Sequence, residues 1–230
     1  MTVHALVLAG GVGERFGSGQ PKQLSLLAGR SVLAHSVAAF ADSPLIDQVV
    51  IVTGEGSRAE AERIAQGEPK VAAVVAGGAT RAESTRQGLA AVPDDEDALV
   101  LVHDAARPLV SAEVIARVVA ALDDYDAVTV GVDCVDTTVE VDAGGRIVAT
   151  PDRARLRRVQ TPQGFRAGLL RRAHAAVAAA HTDDCSVVRA AFPETPILVV
   201  PGDEDNLKIT RAGDLAVAER VLQRREAAHV

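Results

Sequence analysis

The stretch Ala5–Gly17, ALVLAGGVGERFG, joins a short apolar run to a cluster of glycines and an arginine. The run Ala5–Ala9 is typical of a buried strand, and glycines that follow a strand let backbone N–H groups approach an anion. Arg15 lies within the loop, and Lys22 follows seven residues later. The pattern predicts a loop that holds a polyphosphate.

Two familiar glycine-rich loops do not match this one. A dinucleotide-binding loop has the spacing G-x-G-x-x-G, whereas Gly11, Gly13 and Gly17 are one residue too far apart. A P-loop ends in Gly-Lys-Ser/Thr, whereas Lys22 stands between Pro21 and Gln23. A plain strand-to-helix turn with solvated charges remains open at this point.

Length and composition limit the classes of protein to which the chain can belong. The 230 residues suit one domain, residues 1–230, and 48% of them are hydrophobic while only 2% are aromatic. The core is therefore built from aliphatic side chains, as around a buried sheet. The net charge of −7 argues against a nucleic-acid binder, so local arginines and lysines must meet any anionic substrate.

The cysteines and the hydropathy pattern predict a cytoplasmic protein. Cys134 and Cys185 belong to no C-x-x-C or Cys/His cluster, so neither a disulfide framework nor a structural zinc site is expected. No apolar run reaches the roughly eighteen residues of a membrane span. The N-terminus passes directly into the first strand, without the pattern of a signal peptide. We expect no membrane association.

Short apolar runs alternate with segments of helical periodicity. Continuous apolar runs predict strands covered on both faces, and their alternation with helices predicts a single-domain, Rossmann-like α/β sandwich with a mostly parallel sheet. Ser31, Ser57 and Ser111 are predicted N-caps. The predicted strands are Ala5–Ala9, Gln48–Thr53, Val71–Ala76, Ala98–His103, Ala127–Val132 and Ile197–Val200. The predicted helices are Ser31–Phe40, Ser57–Gln66, Arg81–Ala91, Ser111–Leu122, Ala167–Ala180, Asp183–Ala191 and Ala212–Glu226.

The alternation breaks at about residues 133–158. Two strand-like runs, Thr137–Val141 and Arg146–Thr150, flank the pair Gly144-Gly145, which predicts a β-hairpin and not a crossover. A hairpin that projects from an α/β body forms an arm. A partner chain covering one side of it and an exposed flap are both compatible with its mixed faces.

Ligands of open α/β sheets bind beyond the carboxyl ends of the strands, where this chain places residues of both charge signs. Asp104 and Asp205 suit a hydrated Mg²⁺, and the cations suit phosphoryl oxygens. An ion pair between Asp104 and Arg107 and a solvated Lys208 are the alternatives, and His103 is expected to pack. The candidates are Gly10, Gly11, Arg15, Lys22, Gly77, Gly78, Arg81, Ser84, Asp104, Arg107, Asp203, Asp205, Asn206 and Lys208.

An ordered set of motifs spans nearly the whole chain. It comprises Leu8-Ala9-Gly10-Gly11-x-Gly13-x-Arg15, Pro21-Lys22-Gln23, Gly77-Gly78-x-x-Arg81-x-x-Ser84, Val102–Pro108, Asp136-Thr137, Asp152-Arg153, Gln160–Phe165, Thr182-Asp183-Asp184 and Asn206–Thr210. This set resembles that of the 2-C-methyl-D-erythritol 4-phosphate cytidylyltransferases and their close relatives, the ribitol 5-phosphate cytidylyltransferases.

The resemblance implies a division of roles. Arg15 and Lys22 match cations on the triphosphate, and with Arg153 and Lys208 they form the implied catalytic set. Asp104 falls near the ribose and a Mg²⁺ ion, with Asp205 as a second acidic position. Thr137 and Arg153 come from the arm of the neighbouring subunit, which implies a homodimer with composite sites. The residues implied to bind CTP are Ala9, Gly10, Gly11, Gly78, Arg81, Ser84 and Asp104. Those implied to bind the acceptor phosphate are Arg107, Thr137, Arg153, Thr161 and Lys208.

The implied reaction is transfer of CMP from CTP to 2-C-methyl-D-erythritol 4-phosphate, which releases pyrophosphate and belongs to non-mevalonate isoprenoid biosynthesis. The absence of an obvious general base fits, because a phosphate monoester already carries an anionic nucleophilic oxygen near neutral pH. The block Leu8–Gly11 leans towards the ribitol enzymes and the block His103–Pro108 towards the erythritol enzymes. Ribitol 5-phosphate as acceptor, another nucleoside triphosphate, and a nucleotide-binding module without turnover remain alternatives.

Overall fold

The computed structural model describes residues 1–11, 21–177 and 181–228. Its strands fall close to the predicted ones in every case where the sequence shows a continuous apolar run. The strands are β1 (Val3–Ala9), β2 (Leu26–Leu27), β3 (Arg30–Ser31), β4 (Gln48–Thr53), β5 (Val71–Ala76), β6 (Leu99–Asp104), β7 (Ala127–Asp133), β8 (Glu140–Val141), β9 (Ile147–Ala149), β10 (Arg157–Arg166) and β11 (Ile197–Pro201).

The helices follow the predicted alternation. Ser31 and Ser111 cap the first and fourth helices, because their side chains accept hydrogen bonds from Ala34 N and Val114 N. The α-helices are α1 (Val32–Ala41), α2 (Arg58–Gly67), α3 (Arg81–Ala90), α4 (Ala112–Ala121), α5 (Ala167–Ala176), α6 (Asp184–Ala191) and α7 (Gly213–Ala227). None of the helices in the described part of the chain is long and apolar enough to cross a bilayer.

The described residues form a seven-stranded sheet in the order β11-β7-β10-β6-β1-β4-β5. Neighbouring strands pair in parallel, except that β10 is antiparallel to both β6 and β7. The predicted α/β class with a mostly parallel sheet is confirmed. Because β1, β4, β5 and β6 run in one direction, their carboxyl ends meet at one edge of the sheet.

Helices cover both faces of the sheet. Ala5 and Val7 of β1 face a cluster that includes side chains of α1, α2 and α4, whereas Leu6 faces a cluster with side chains of α3, α5 and α6. All three β1 side chains are fully buried. Burial on alternate faces explains why the strand is a continuous apolar run and not an alternating one.

Two local predictions differ from the structure, and one strand of the seven-stranded sheet, β10, was not predicted. The predicted helix Ala167–Ala180 ends at Ala176, Val177 is extended, and residues 178–180 lie outside the described residues. Ser57 precedes α2 but makes no capping hydrogen bond, because its Oγ accepts a bond from Gln23 Nε2 at 2.9 Å instead. β10 has no apolar signature, since buried Gln160 and Gln163 interrupt it.

The arm is a shorter hairpin than predicted. Its paired residues are those of β8 and β9, and its turn contains Gly145 with φ of +79°, a backbone conformation that favours glycine. The side chain of Asp142 accepts hydrogen bonds from Gly144 N and Arg146 N, which stabilises the turn. The apolar side chains of Val141, Ile147 and Val148 are more than half exposed.

Candidate active site

A cleft of about 270 Å³ lies at the carboxyl ends of β1, β5 and β6. The loops that follow these strands meet there with the loop that follows β11. The cleft brings together many of the residues predicted from the sequence. It is lined by Leu8, Ala9, Gly10, Gly11, Lys22, Gln23, Gly78, Ala79, Thr80, Arg81, Ser84, Asp104, Ala105, Ala106 and Lys208.

A smaller pocket of about 200 Å³ shares one side of this cleft. Arg81, Asp104 and Lys208 line both cavities. Arg107 and Thr161, predicted for the acceptor phosphate, line only the smaller one. The geometry therefore provides two neighbouring compartments that share a carboxylate and two cations.

The loop after β5 and the start of α3 line the cleft through Gly78, Ala79, Thr80 and Arg81. A Cβ atom on Gly78 would lie 2.2 Å from Cβ of Glu83, so only glycine fits there. Thr80 and Glu83 form a capping box, and Ser84 Oγ accepts a hydrogen bond from Gly78 N at 3.2 Å. The N-terminus of α3 thus faces the cleft with the positive end of the helix dipole, which suits an anion.

Lys22 is held at the cleft by the next residue in the chain. The buried side chain of Gln23 donates hydrogen bonds to Ala9 O at 2.6 Å and to Ser57 Oγ at 2.9 Å. These bonds fix the chain around Lys22 to the end of β1 and to the start of α2. Arg15, predicted as the second cation on the triphosphate, lies outside the described residues.

Asp104 is the carboxylate shared by both cavities. Its Oδ1 accepts a hydrogen bond from Arg81 Nε at 3.3 Å, and its Oδ2 accepts one from Lys208 Nζ at 2.7 Å. Burial alone would raise the pKa of Asp104, but the charges of Arg81 and Lys208 outweigh it and hold the pKa well below its ordinary value. Asp104 is therefore ionised at neutral pH.

A buried carboxylate that the sequence analysis did not select holds Arg81 from the other side. Asp184 Oδ2 accepts a hydrogen bond from Arg81 Nη1 at 2.5 Å, and Asp184 Oδ1 is 2.9 Å from His174 Nε2. Burial opposes the charge on Asp184, yet the bond from His174 and the charge of Arg81 lower its pKa. The Thr182-Asp183-Asp184 block was the available signal, but its distance in sequence from Arg81 concealed the contact.

Thr161 supports the site through the protein itself. Its Oγ1 accepts a hydrogen bond from Asp104 N at 3.1 Å and lies 3.1 Å from His103 Nδ1. His103 Nε2 lies 3.0 Å from Arg107 O, and a carbonyl oxygen only accepts. Nε2 therefore carries the proton, and Nδ1 accepts the proton of the Thr161 hydroxyl. That hydroxyl is not available as a donor to a substrate phosphate in this arrangement.

His103 packs in the core, as expected from the sequence. It is fully buried, and its ring centroid lies 4.8 Å from that of Phe40. Burial lowers the pKa of His103 to about 4, so the ring is neutral at physiological pH. Arg107 donates a hydrogen bond from Nη1 to Asn206 O at 2.7 Å, which ties the loop after β6 to the loop after β11.

Six of the predicted residues that the structure describes line neither cavity of their own chain: Gly77, Thr137, Arg153, Asp203, Asp205 and Asn206. Asp205 is absent from the described residues that line either cavity, and its carboxylate forms ion pairs with Arg224 and Arg225 on α7. Asp104 and Asp205 are thus not paired across the cleft, because the chain turns between Asp203 and Lys208. Thr137 and Arg153 belong to the arm, and neither lines these cavities within the described residues.

The fold and the cleft define a nucleotidyltransferase: a Rossmann-like sheet with a glycine-rich anion site, cations and one ionised carboxylate at its carboxyl edge. Comparisons with known proteins agree. The sequence profile of the 2-C-methyl-D-erythritol 4-phosphate cytidylyltransferases (IspD) matches residues 3–224. The chain belongs to this family of CTP-dependent cytidylyltransferases, which confirms the resemblance noted in the sequence.

Individual relatives are similar over nearly the whole chain. A 2-C-methyl-D-erythritol 4-phosphate cytidylyltransferase from Thermobifida fusca (strain YX) is 52% identical over 96% of this chain and 93% of its own. A crystal structure of the 4-diphosphocytidyl-2C-methyl-D-erythritol synthase from Anaerococcus prevotii DSM 20548 has a TM-score of 0.84 at 29% identity, covering 96% of this chain and 98% of that one.

A relative that is named for a different activity is also similar. The bifunctional ribulose 5-phosphate reductase/CDP-ribitol pyrophosphorylase Bcs1 from Haemophilus influenzae is 38% identical over 96% of this chain and 48% of its own. The relatives therefore include both methylerythritol phosphate cytidylyltransferases and a CDP-ribitol pyrophosphorylase.

Proposed function

We propose that the cleft transfers CMP from CTP to 2-C-methyl-D-erythritol 4-phosphate, the reaction of the family to which the chain belongs. An oxygen of the acceptor phosphate forms a bond to the α-phosphorus of CTP, and the bond from that phosphorus to the bridging oxygen of the β-phosphate breaks. Pyrophosphate leaves with the electron pair. The observation that carries this proposal is the convergence of Lys22, Arg81, Asp104 and Lys208 at the glycine-rich loops.

The larger compartment suits the nucleotide. Backbone groups of Gly10 and Gly11 and the N-terminus of α3 offer donors to phosphate oxygens without bulky side chains. Lys22 supplies a positive charge where the α-phosphorus becomes five-coordinate, and Arg15 is assigned to the same triphosphate. Charge placed at that point acts on the transition state more than on bound CTP.

The smaller compartment suits the acceptor phosphate. Arg107 and Lys208 line it, and Lys208 also reaches the larger compartment. The reaction brings two anions together, so cations between them reduce the repulsion and orient the attacking oxygen. No strong general base is needed, which agrees with the neutral, buried state of His103.

The residues of the cleft fit a divalent cation that binds chiefly to substrate. Mg²⁺ typically takes one or two carboxylates together with substrate phosphates, and Asp104 offers one ionised carboxylate. No group of three or more potential ligand side chains occurs among the described residues, so the protein alone offers no complete cage. Asp104 would hold Mg²⁺, which neutralises charge on the triphosphate.

The arm is assigned to a homodimer with composite sites. Its exposed apolar side chains, among them Val141, Ile147 and Val148, are suited to burial against a second copy. Thr137 and Arg153 lie on this arm and outside their own cleft, which supports their assignment to the acceptor phosphate of the partner. The free thiols of Cys134 and Cys185 suit the reducing cytoplasm, to which we assign the protein.

Pyrophosphate release from a matrix of substrates tests the proposal. The protein and Mg²⁺ are incubated with CTP or UTP and with 2-C-methyl-D-erythritol 4-phosphate or D-ribitol 5-phosphate. We expect the highest kcat/KM for CTP with methylerythritol phosphate. Faster turnover of ribitol phosphate would reassign the acceptor. If no pair of substrates gives pyrophosphate, the protein is not a transferase for any of them.

A further inference from the structure

The C-terminal helix α7 packs against the loops that carry the acceptor-site cations. Ala218 and Val221 of this helix are buried in one hydrophobic cluster with Leu109 and Ile209. Leu109 follows Arg107 by two residues, and Ile209 directly follows Lys208. The same cluster contains Leu27, which lies in the segment after Lys22. One face of α7 therefore covers all three loops from the side away from the cleft.

The loops after β6 and β11 are also bonded to each other. Ile209 N donates to Ala106 O at 2.7 Å, and Arg107 Nη1 donates to Asn206 O at 2.7 Å. Asn206 is fully buried, and its Nδ2 donates to Thr161 O at 2.8 Å. The position of Lys208 therefore depends on how these two loops meet.

Arg225, near the end of α7, spans the junction of the two loops. Its Nη1 donates a hydrogen bond to Leu109 O at 3.0 Å, and its Nη2 lies 3.5 Å from Asp203 Oδ2 and 3.8 Å from Asp205 Oδ2. Asp203 is itself fixed, because its backbone carbonyl accepts a hydrogen bond from Gln160 Nε2 at 2.8 Å. The guanidinium thus connects the end of the loop after β6 to the start of the loop after β11.

We propose that Arg225 is a positioning residue for the acceptor phosphate, because it sets the separation of Arg107 and Lys208 by bridging their loops. The inference rests on the proposed function, which assigns those two cations to the acceptor. Arg225 touches neither cavity, so it acts through the loops and not on substrate.

The chemistry of the bridge requires arginine. A guanidinium holds donors in a fixed planar fork, so one side chain bonds a carbonyl and a carboxylate in defined directions. A lysine at the same position has a single ammonium at the end of a flexible stem. This ammonium can bond the carbonyl of one loop or the carboxylate of the other, but it cannot hold both loops in defined directions.

Steady-state kinetics on the full-length Arg225→Ala variant tests the inference. Displacing two phosphate-binding cations should raise KM for the acceptor about tenfold, while KM for CTP stays within about twofold. Arg225→Lys should recover only part of the loss. Arg220→Ala removes an exposed arginine from the same helix, and Arg224→Ala removes an ion pair to Asp205 while leaving the Leu109 bond; both should remain near wild type.

An unchanged KM for the acceptor in folded Arg225→Ala would overturn the inference, as would an equal rise in Arg220→Ala. Thermal unfolding establishes whether each variant is folded. If Arg225→Ala does not fold, Asp203→Asn and Arg225→Lys test the same bridge: each should raise the acceptor KM, and the double variant should show less than the product of their effects. If the increases in acceptor KM of the two single variants simply multiply in the double variant, the inference is overturned.

Arg107→Ala and Lys208→Ala are measured alongside to separate this inference from the proposed function. If neither variant raises KM for the acceptor, the assignment of the acceptor compartment fails. If both raise it and Arg225→Ala does not, only the bridging role fails.

Discussion

At the scale of single residues, the site is organised around ion pairs that connect distant parts of the chain. Asp104 meets Arg81 and Lys208, and Arg81 meets Asp184, so one carboxylate and one guanidinium join four segments. Buried charges are stable only when paired and hydrogen-bonded. This pairing keeps cations and a carboxylate in fixed positions before substrate arrives, which is what a reaction driven by positioning and charge neutralisation requires.

Lys22→Ala should mainly lower kcat. Lys22 is assigned to charge that develops at the α-phosphorus, so its loss should cost about 10²-fold or more in kcat with a smaller effect on KM for CTP. Initial rates of pyrophosphate release measure both constants. Lys70→Ala, whose side chain bonds Ser43 O outside the cleft, is the matched control. An unchanged kcat in Lys22→Ala would place Lys22 outside the reacting centre.

Asp184→Asn should destabilise the protein most at neutral pH. Removing one partner of a buried ion pair typically costs about 3–5 kcal/mol. The pKa of Asp184 is depressed in the folded state, so its contribution is present above the unfolded pKa of about 4 and is lost as pH falls. Chemical unfolding at pH 7 and at pH 3 should therefore show a smaller difference between the two pH values in the variant than in wild type.

The exposed Asp124→Asn is the control for that experiment. It should leave the free energy of unfolding within about 0.5 kcal/mol of wild type at both pH values. A loss in Asp184→Asn that is as large at pH 3 as at pH 7 would contradict the assigned ion pair.

At the scale of elements, apolar strands and capped helices could be predicted because their signals are local. β4 and β5 have the predicted bounds, since their continuous apolar runs are bordered by polar residues. β10 could not be predicted in this way. Its buried Gln163 bonds Thr129 and Asp183, partners remote in sequence, so tertiary hydrogen bonds and not local pattern define the strand.

The same distinction applies to the site. Asp104 ends β6, Gly78 comes just after β5, and Lys22 lies in the segment between β1 and β2, so the rule for open α/β sheets places them at one edge. Asp205 also follows a strand, yet the turn between Asp203 and Asn206 directs it to α7. Asp184 and Arg225 were missed because their contacts with the site loops, to Arg81 and to Leu109, are separated from them by about a hundred residues.

A charge introduced on the arm tests whether the arm forms the proposed homodimer. Ile147 is 65% exposed on β9, and Ile147→Asp places a charge in the surface assigned to the partner. Sedimentation should show a shift from dimer to monomer, with loss of activity. Val217→Asp changes an exposed apolar residue of α7 and should leave the assembly intact. A wild-type protein that sediments as a monomer would contradict the assigned arm.

At the scale of the whole molecule, each proposed active site lies between two chains. In the proposed homodimer, one chain would supply the nucleotide loops and the partner would supply Thr137 and Arg153 from its arm. Mixing Lys22→Ala and Arg153→Ala chains should restore activity, because one of the two sites in a mixed dimer then has both residues. Activity is measured after refolding the variants together, with each variant alone as the reference. No restoration in a verified mixed dimer would exclude the composite site.

The proposed reaction joins CMP to a polyol phosphate in this cleft. The most direct measurement is the stoichiometry of the purified protein's reaction with CTP, Mg²⁺ and 2-C-methyl-D-erythritol 4-phosphate, followed by phosphorus NMR. We expect one pyrophosphate released for each acceptor consumed, a new diphosphate linkage in the product, and no CTP consumption without acceptor. Release of pyrophosphate that does not depend on the acceptor, or no new diphosphate linkage, would contradict it.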